Sequence, residues 1–345
     1  PSSYSGSSGD TNTGDIIIQG CHFEECTSSL GGCISSHDGT EQADEETNIT
    51  DCIFERCEAS TLGSCIYSLT YRFYLSNSKF SEQTKGTSMI YLKMNEKVNP
   101  LIYNCTFVNN EINSVSCEVD GTLIMQNCTF REYSTNELLN PSSMLSKGNE
   151  SGNIFDGCIF EDTTKCGVYI ESGIHTFNNC IFQNINTETA SKKALYVKTP
   201  SEYDNEFATI FVNGCTFINN SGLSQGGAVF IKSKTVASFD NNRFINNHVN
   251  PGLFDRAQGG SVYIKQFTEP IIFTISNCYF ENDSSSGTGG SIYCEFYDIT
   301  YSGSSDKMYD IPIIIDNCQF KKCSSKDRGG AISNGSPSSY SGSLG

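Results

Sequence analysis

IIFTISNCYFENDSSSGTGGSI, residues 271–292, joins two short alternating patterns to a glycine pair. Phe273 and Ile275 alternate at period two, and so do Cys278 and Phe280, the pattern of half-buried strands. The step from Ile275 to Cys278 is odd, so both pairs face one interior only if the chain turns or bulges at Asn277. Further on, Gly289, Gly290, Ser291 and Ile292 place two glycines and a small residue before a β-branched one. That run reads as another corner entering a third strand.

The same pattern recurs along nearly the whole chain. A Phe follows a Cys, Ser or Asn by two residues at Phe23, Phe54, Phe80, Phe107, Phe130, Phe160, Phe182, Phe217, Phe244, Phe280 and Phe320. The residue before that small or polar position is Gly20, Asp51, Asn77, Asn104, Asn127, Gly157, Asn179, Gly214, Asn241, Asn277 or Asn317. All eleven are types that tolerate positive φ, which predicts a repeated left-handed corner. Glycine-pair corners recur at Gly31, Gly226, Gly259, Gly289 and Gly329, with degenerate versions at Ser64–Tyr67, Ser88–Tyr91 and Ala194–Val197. The spacing is elastic, from 22 residues (Phe160 to Phe182) to 40 (Phe280 to Phe320), so a fixed unit alternates with variable loops.

A unit of three short strands and three bends cannot bury its own apolar face, but it can stack on the next unit at the inter-strand spacing of ~4.8 Å. The expected fold is therefore all-β, a parallel β-helix of about eleven coils. A right-handed winding is expected from the general preference for right-handed parallel crossovers. The eleven Phe residues should form one interior column, each burial contributing roughly 1.5–3 kcal/mol. Residues 1–345 read as a single β-helix domain about 53 Å long at ~4.8 Å per coil.

GGA[IV]-type runs paired with FxxN runs (Phe107–Asn110, Phe217–Asn220, Phe244–Asn247) resemble the polymorphic outer membrane protein repeats of chlamydiae and similar Cys-rich surface proteins of protists such as trichomonads. The resemblance covers about residues 15 to 335. It implies a right-handed, pectin-lyase-like β-helical region on a cell surface, with adhesion as the usual role. The Cys columns and residues 131–150, where the second motif is missing, depart from the bacterial pattern, and membrane anchoring does not carry over.

Composition narrows the function. With 22 basic and 39 acidic side chains the formal charge is −17, which argues against nucleic acid as a partner. Charged residues are only 18%, so Ser, Thr, Asn and Gly must supply the polar surface. No stretch reads as a transmembrane segment, signal peptide or capping helix.

The cysteines number 17, an odd count that leaves at least one unpaired within the chain. Cys105, Cys128, Cys158, Cys180 and Cys215 fall in five successive coils, at a spacing within disulfide reach. Three readings stand: small apolar fillers of a narrow interior, disulfides between coils such as Cys26 with Cys57 or Cys33 with Cys65, and a metal site. The C-x4-C pairs at Cys21, Cys52 and Cys318 recur with repeat phase, unlike zinc-type CxxC spacing, so no metal or other cofactor is assigned. Seven glycosylation sequons occur, and Asn48, Asn149 and Asn334, taken as lying in Gly-rich or acidic loops, are the preferred acceptors.

Catalysis has little support in the sequence. The chain lacks an Asp-Asp pair, and His22, His37, His175 and His248 are scattered, so no catalytic residue is assigned and an enzyme is not expected. The acidic run from Asp38 to Glu46 reads as a solvated loop. Aromatic groups at Tyr67, Tyr71, Phe73, Tyr74 and Tyr91, and at Tyr293, Phe296, Tyr297, Tyr301 and Tyr309, either stack on sugars, dock a neighbour, or pack against a strand face.

PSSYSGSSG at Pro1–Gly9 returns as PSSYSGSLG at Pro337–Gly345, a register of 336 residues, which suggests a segment of a longer solenoid or tandem array. A Ser/Gly/Tyr loop reused without larger periodicity is the competing explanation. The expectation is an extracellular or cell-surface structural β-solenoid, joined end to end with copies of itself or adjacent modules. The alternatives are an adhesin binding a host glycan or protein through a loop face, and a polysaccharide lyase or hydrolase.

Overall fold

The computed structural model describes residues 15–36, 46–94, 98–119, 121–132, 137–139, 152–187, 193–198, 207–232, 235–251, 257–266, 273–296 and 313–335. The described residues contain strands and no helix, and the strands pair only in parallel. Two eleven-stranded sheets run in strict sequence order, one from Ile16–Gln19 to Ile313–Asp316 and one from His22–Glu24 to Gln319–Lys321. A third face is split into four strands, beginning with Ile34–Ser36, and seven, ending with Ile332–Gly335. The protein is a parallel β-helix of eleven coils, numbered 1 to 11 below.

The Phe column is the axis of the core. Register pairs Phe23 with Phe54, Phe54 with Phe80, and so on to Phe280 with Phe320. Successive rings are stacked at 4.6–5.0 Å between centroids. That separation matches the strand spacing of ~4.8 Å, so rings and backbones share one period.

All eleven predicted first corners have positive φ, including Asn277 at 53° and Gly20 at 63°. The corner always takes two residues, and the second turns inward to serve the backbone. Ser78 Oγ donates to Ser76 O at 2.8 Å and accepts the Cys52 N–H at 3.1 Å. Asn242 Nδ2 donates to Val212 O at 2.8 Å while its Oδ1 accepts the Cys215 N–H at 2.7 Å. Cys, Ser and Asn interchange here because each puts a donor one or two bonds beyond Cβ, where a buried carbonyl needs one.

A second left-handed corner lies two residues after every Phe, at Glu25, Arg56, Glu82, Asn109, Glu132, Asp162, Asn184, Asn219, Asn246, Asn282 and Lys322. It turns the next side chain inward. Asn220 Nδ2 thus donates to Phe182 O at 2.9 Å, and Asn247 Nδ2 to Phe217 O at 3.0 Å. The FxxN runs owe their Asn to this task. In the glycine-pair corners the two glycines act differently. Gly226 needs its φ of 59°, whereas a Cβ on Gly227 would collide with the carbonyl oxygen of Gly260 in the next coil.

Outward aromatics on the third face also stack: Tyr169, Tyr196, Phe230, Tyr263 and Tyr293 form one column, Tyr67 and Tyr91 another pair. Tyr263 is fully buried, so this column is packing. Phe73 belongs to the core, while Tyr74 is exposed and Arg72 lies over the Tyr71 ring. Tyr297, Tyr301 and Tyr309 lie outside the described residues, as does the side chain of Phe296.

Truncating the ladder at its middle should cost more than at its end. Phe160→Ala is expected to destabilise by about 3–5 kcal/mol, the range for a fully buried Phe. Phe23→Ala, with one stacking partner, should cost clearly less, and urea denaturation of both variants measures the difference.

Candidate functional site

The described residues of the two terminal coils are built alike. Coil 1 reads IIIQGCHFEEC over residues 16–26, and coil 11 reads IIIDNCQFKKC over residues 313–323. Ile18, Cys21, Phe23 and Cys26 at one end, and Ile315, Cys318, Phe320 and Cys323 at the other, are only partly buried. Their counterparts inside the stack, such as Leu75, Cys128 and Phe160, are at most 1% exposed. Four parallel strand edges accompany these side chains at each end, with backbone groups directed along the axis.

The ends differ in charge. Residues 15–36 carry Asp15, Glu24 and Glu25 and no Lys or Arg, while residues 313–335 carry Lys321, Lys322, Lys326 and Arg328 against Asp316 and Asp327. Glu24 and Glu25 follow Phe23, and Lys321 and Lys322 follow Phe320, so the two pairs occupy the same positions of the coil. Within the chain such positions already pair vertically. Lys321 Nζ is 2.7 Å from Glu281, and Arg56 is paired with Glu24 and, at 3.3 Å, with Glu25.

The thiols of Cys105, Cys128, Cys158, Cys180 and Cys215 form the expected column. Each Sγ donates to the carbonyl two residues earlier and to one in the preceding coil, as Cys158 does to Asp156 O at 3.7 Å and Met125 O at 3.4 Å. Hydrogen bonding within the column moves neighbouring thiols apart, Cys158 downward and Cys128 upward, and burial together with that bonding raises Cys180. All seventeen cysteines are free thiols here. Cys26, Cys33 and Cys57 bring their sulfurs within 4.8 Å of one another, a grouping that the C-x4-C spacing did not single out.

Asn48 and Asn334 are strand residues, not the loop residues that the composition around them suggested. Asn48 lies in Glu46–Thr50 between inward Thr47 and Ile49, and so faces outward. Asn334 lies in Ile332–Gly335 in register with Cys294, a core residue, and is exposed on the end face. Asn149 lies outside the described residues, as do His37 and the acidic residues Asp38, Glu41, Asp44 and Glu45.

Other titratable groups are dispersed. His175 is buried in coil 7, its Nδ1 accepting from Asn153 Nδ2 at 3.3 Å and its Nε2–H donating to Ser172 O at 2.7 Å; burial holds it down to about 4. Lys193 donates to Leu223 O at 2.9 Å, and burial lowers it to about 7. His22 is half-exposed, 3.5 Å from Glu55. No helix among the described residues is long and apolar enough to cross a membrane.

Fold and surface together define a parallel β-solenoid with chemically matched ends. No protein-family model matches the chain, and a search of the curated proteins finds no match.

Asp283 occupies the second-corner column that carries Asn220 and Asn247. Its Oδ1 accepts from Asn247 N at 2.9 Å, its Oδ2 has no hydrogen-bond partner, and burial raises it to about 7. The folded state therefore keeps a proton that the unfolded chain releases near pH 4. The stabilisation is complete below that pH and is lost as pH rises through about 7. Asp283→Asn should raise stability at pH 8 by about 1–3 kcal/mol, the penalty of an unsatisfied buried group. The gain should vanish by pH 4, as thermal melts of the variant and the native chain at both pH values would record.

Proposed function

We propose that this protein is a structural solenoid that continues end to end, coil 11 of one copy seated on coil 1 of the next. The product is a stiff rod, placed outside the cell or on its surface. The observation that carries this reading is the match between the terminal coils: the same interior residues in the same positions, with opposite charge after the Phe. Stacking sets Phe320 over Phe23, Ile315 over Ile18, and Lys321 and Lys322 over Glu24 and Glu25. At the joint each column then changes sign or continues in kind.

The cysteines support the same joint. The three C-x4-C pairs begin at Cys21 and Cys52 in coils 1 and 2 and at Cys318 in coil 11. Head-to-tail stacking makes these three coils consecutive. The PSSYSGS segments at Pro1 and Pro337 also sit at corresponding phases of the sequence. A head-to-tail contact is heterologous, so it propagates as a filament. The backbone edges at both ends would gain partners, which removes the liability of open strands.

Sedimentation velocity and electron microscopy test the joint. The native chain should associate with rising concentration, and salt should weaken the association. Glu24→Lys with Glu25→Lys makes both ends basic, and Lys321→Glu with Lys322→Glu makes both acidic. Each variant alone should remain monomeric, and a mixture of the two should form rods. Association indifferent to either reversal, or a native chain that stays monomeric throughout, overturns the reading.

A further inference from the structure

A second cluster lies inside coils 1 and 2, on different residues from the charged joint. The second corner of coil 1 supplies Cys26 and that of coil 2 supplies Cys57, stacked because Thr27 pairs with Glu58. The glycine-pair corners supply Cys33 and Cys65, stacked because Ile34 pairs with Ile66. The two columns face each other across the narrow interior, which makes a two-by-two array of thiols. The sulfurs of Cys26, Cys33 and Cys57 all lie within 4.8 Å of one another. Cys65 lies outside that group of three but interacts with both Cys33 and Cys57 and so adjoins it as a fourth sulfur.

We infer that Cys26, Cys33, Cys57 and Cys65 form a tetrathiolate site for a soft divalent cation of the zinc type. Sulfurs drawn from two columns and two coils can close around a point, which a single row cannot do and a tetrahedral ion requires. A zinc–sulfur distance of about 2.3 Å places tetrahedral sulfurs about 3.8 Å apart, so Cys26, Cys33 and Cys57 need approach one another by at most about 1 Å, with Cys65 moving in as the fourth ligand. By contrast, Cys105, Cys128, Cys158, Cys180 and Cys215 form a single column, in which no ion can gain four sulfurs.

The surroundings fit a ligand at this point. Cys57 and Cys65 are fully buried, while Cys26 and Cys33 are partly exposed and leave a way in from the end of the solenoid. In the next coil the same two columns carry Gln83 and Met89, both fully buried, and Gln83 Oε1 has no hydrogen-bond partner. Binding replaces protons by the cation: four thiols release four protons to solvent, four sulfur–metal bonds form, and no electron changes hands.

Cobalt titration of the metal-free chain under reducing conditions tests the site. One Co²⁺ per chain should give the intense thiolate charge-transfer band and the visible bands of tetrahedral cobalt, and Zn²⁺ should abolish them. Zinc should also protect Cys26, Cys33, Cys57 and Cys65 from alkylation, read by peptide mass spectrometry. Cys26→Ser with Cys33→Ser removes the two outer ligands and should weaken binding by at least about 100-fold, the upper end for loss of a supporting partner. Circular dichroism checks that this variant keeps its strands, and Cys318→Ser at the other end should bind as the native chain does. Absence of the tetrahedral spectrum, its persistence in the double variant, or disulfides joining these cysteines in native material overturns the inference.

Discussion

Like must lie on like along the axis, and the rest of the structure follows from that constraint. A stacked benzene ring and a hydrogen-bonded strand both advance by close to the same distance, so a column of Phe and a parallel sheet can share one period without strain. The ring separations of 4.6–5.0 Å show that both conditions are met together. The register cannot slip by one residue. Every interior side chain of that coil would then face solvent.

The corners solve the problem that a narrow solenoid creates for its own backbone. At each bend carbonyl and amide groups lose their sheet partners, and the interior holds too little water to replace them. Cys128, Ser78 and Asn242 at the first corner, and Gln83, Asn110 and Asn247 at the second, each turn a small or slender polar group inward to take up that load. The many cysteines thus have a structural task as thiols. Where two such columns draw together in coils 1 and 2, the sulfurs meet one another as well as the backbone.

Most of this architecture was legible because its columns recur with small, chemically narrow alphabets. Phe at every repeat, and Asn, Asp or Gly at every first corner, left few alternative readings. The second corner was harder to see. Glu25, Arg56, Glu82, Glu132 and Lys322 adopt positive φ there although none is a customary left-handed residue. The stacking around them imposes the conformation. The available signal was the residue three after Phe, which is Cys, Gln, Asn or Asp in eight of the eleven coils. Asn48 and Asn334 were misread as loop residues because composition near them was given more weight than the alternation of Thr47 with Ile49 and the register of Asn334 with Cys294. The thiol cluster depends on the distance across the interior, a quantity that linear spacing does not contain. The charge contrast of the terminal coils was present in EE and KK, but it acquires meaning only once those positions are known to superpose.

One feature of the corners reaches beyond stability. The first corner takes two residues in every coil, whereas the chain between the third strand and the following coil ranges from two residues, between Ile170 and Gly173, to sixteen, between Phe296 and Ile313. Length is thus conserved on one edge and free on another. Added sequence at the free edge alters neither pitch nor core, so that edge works as a margin on which new surface chemistry can be written while the printed text of the rungs stays unchanged.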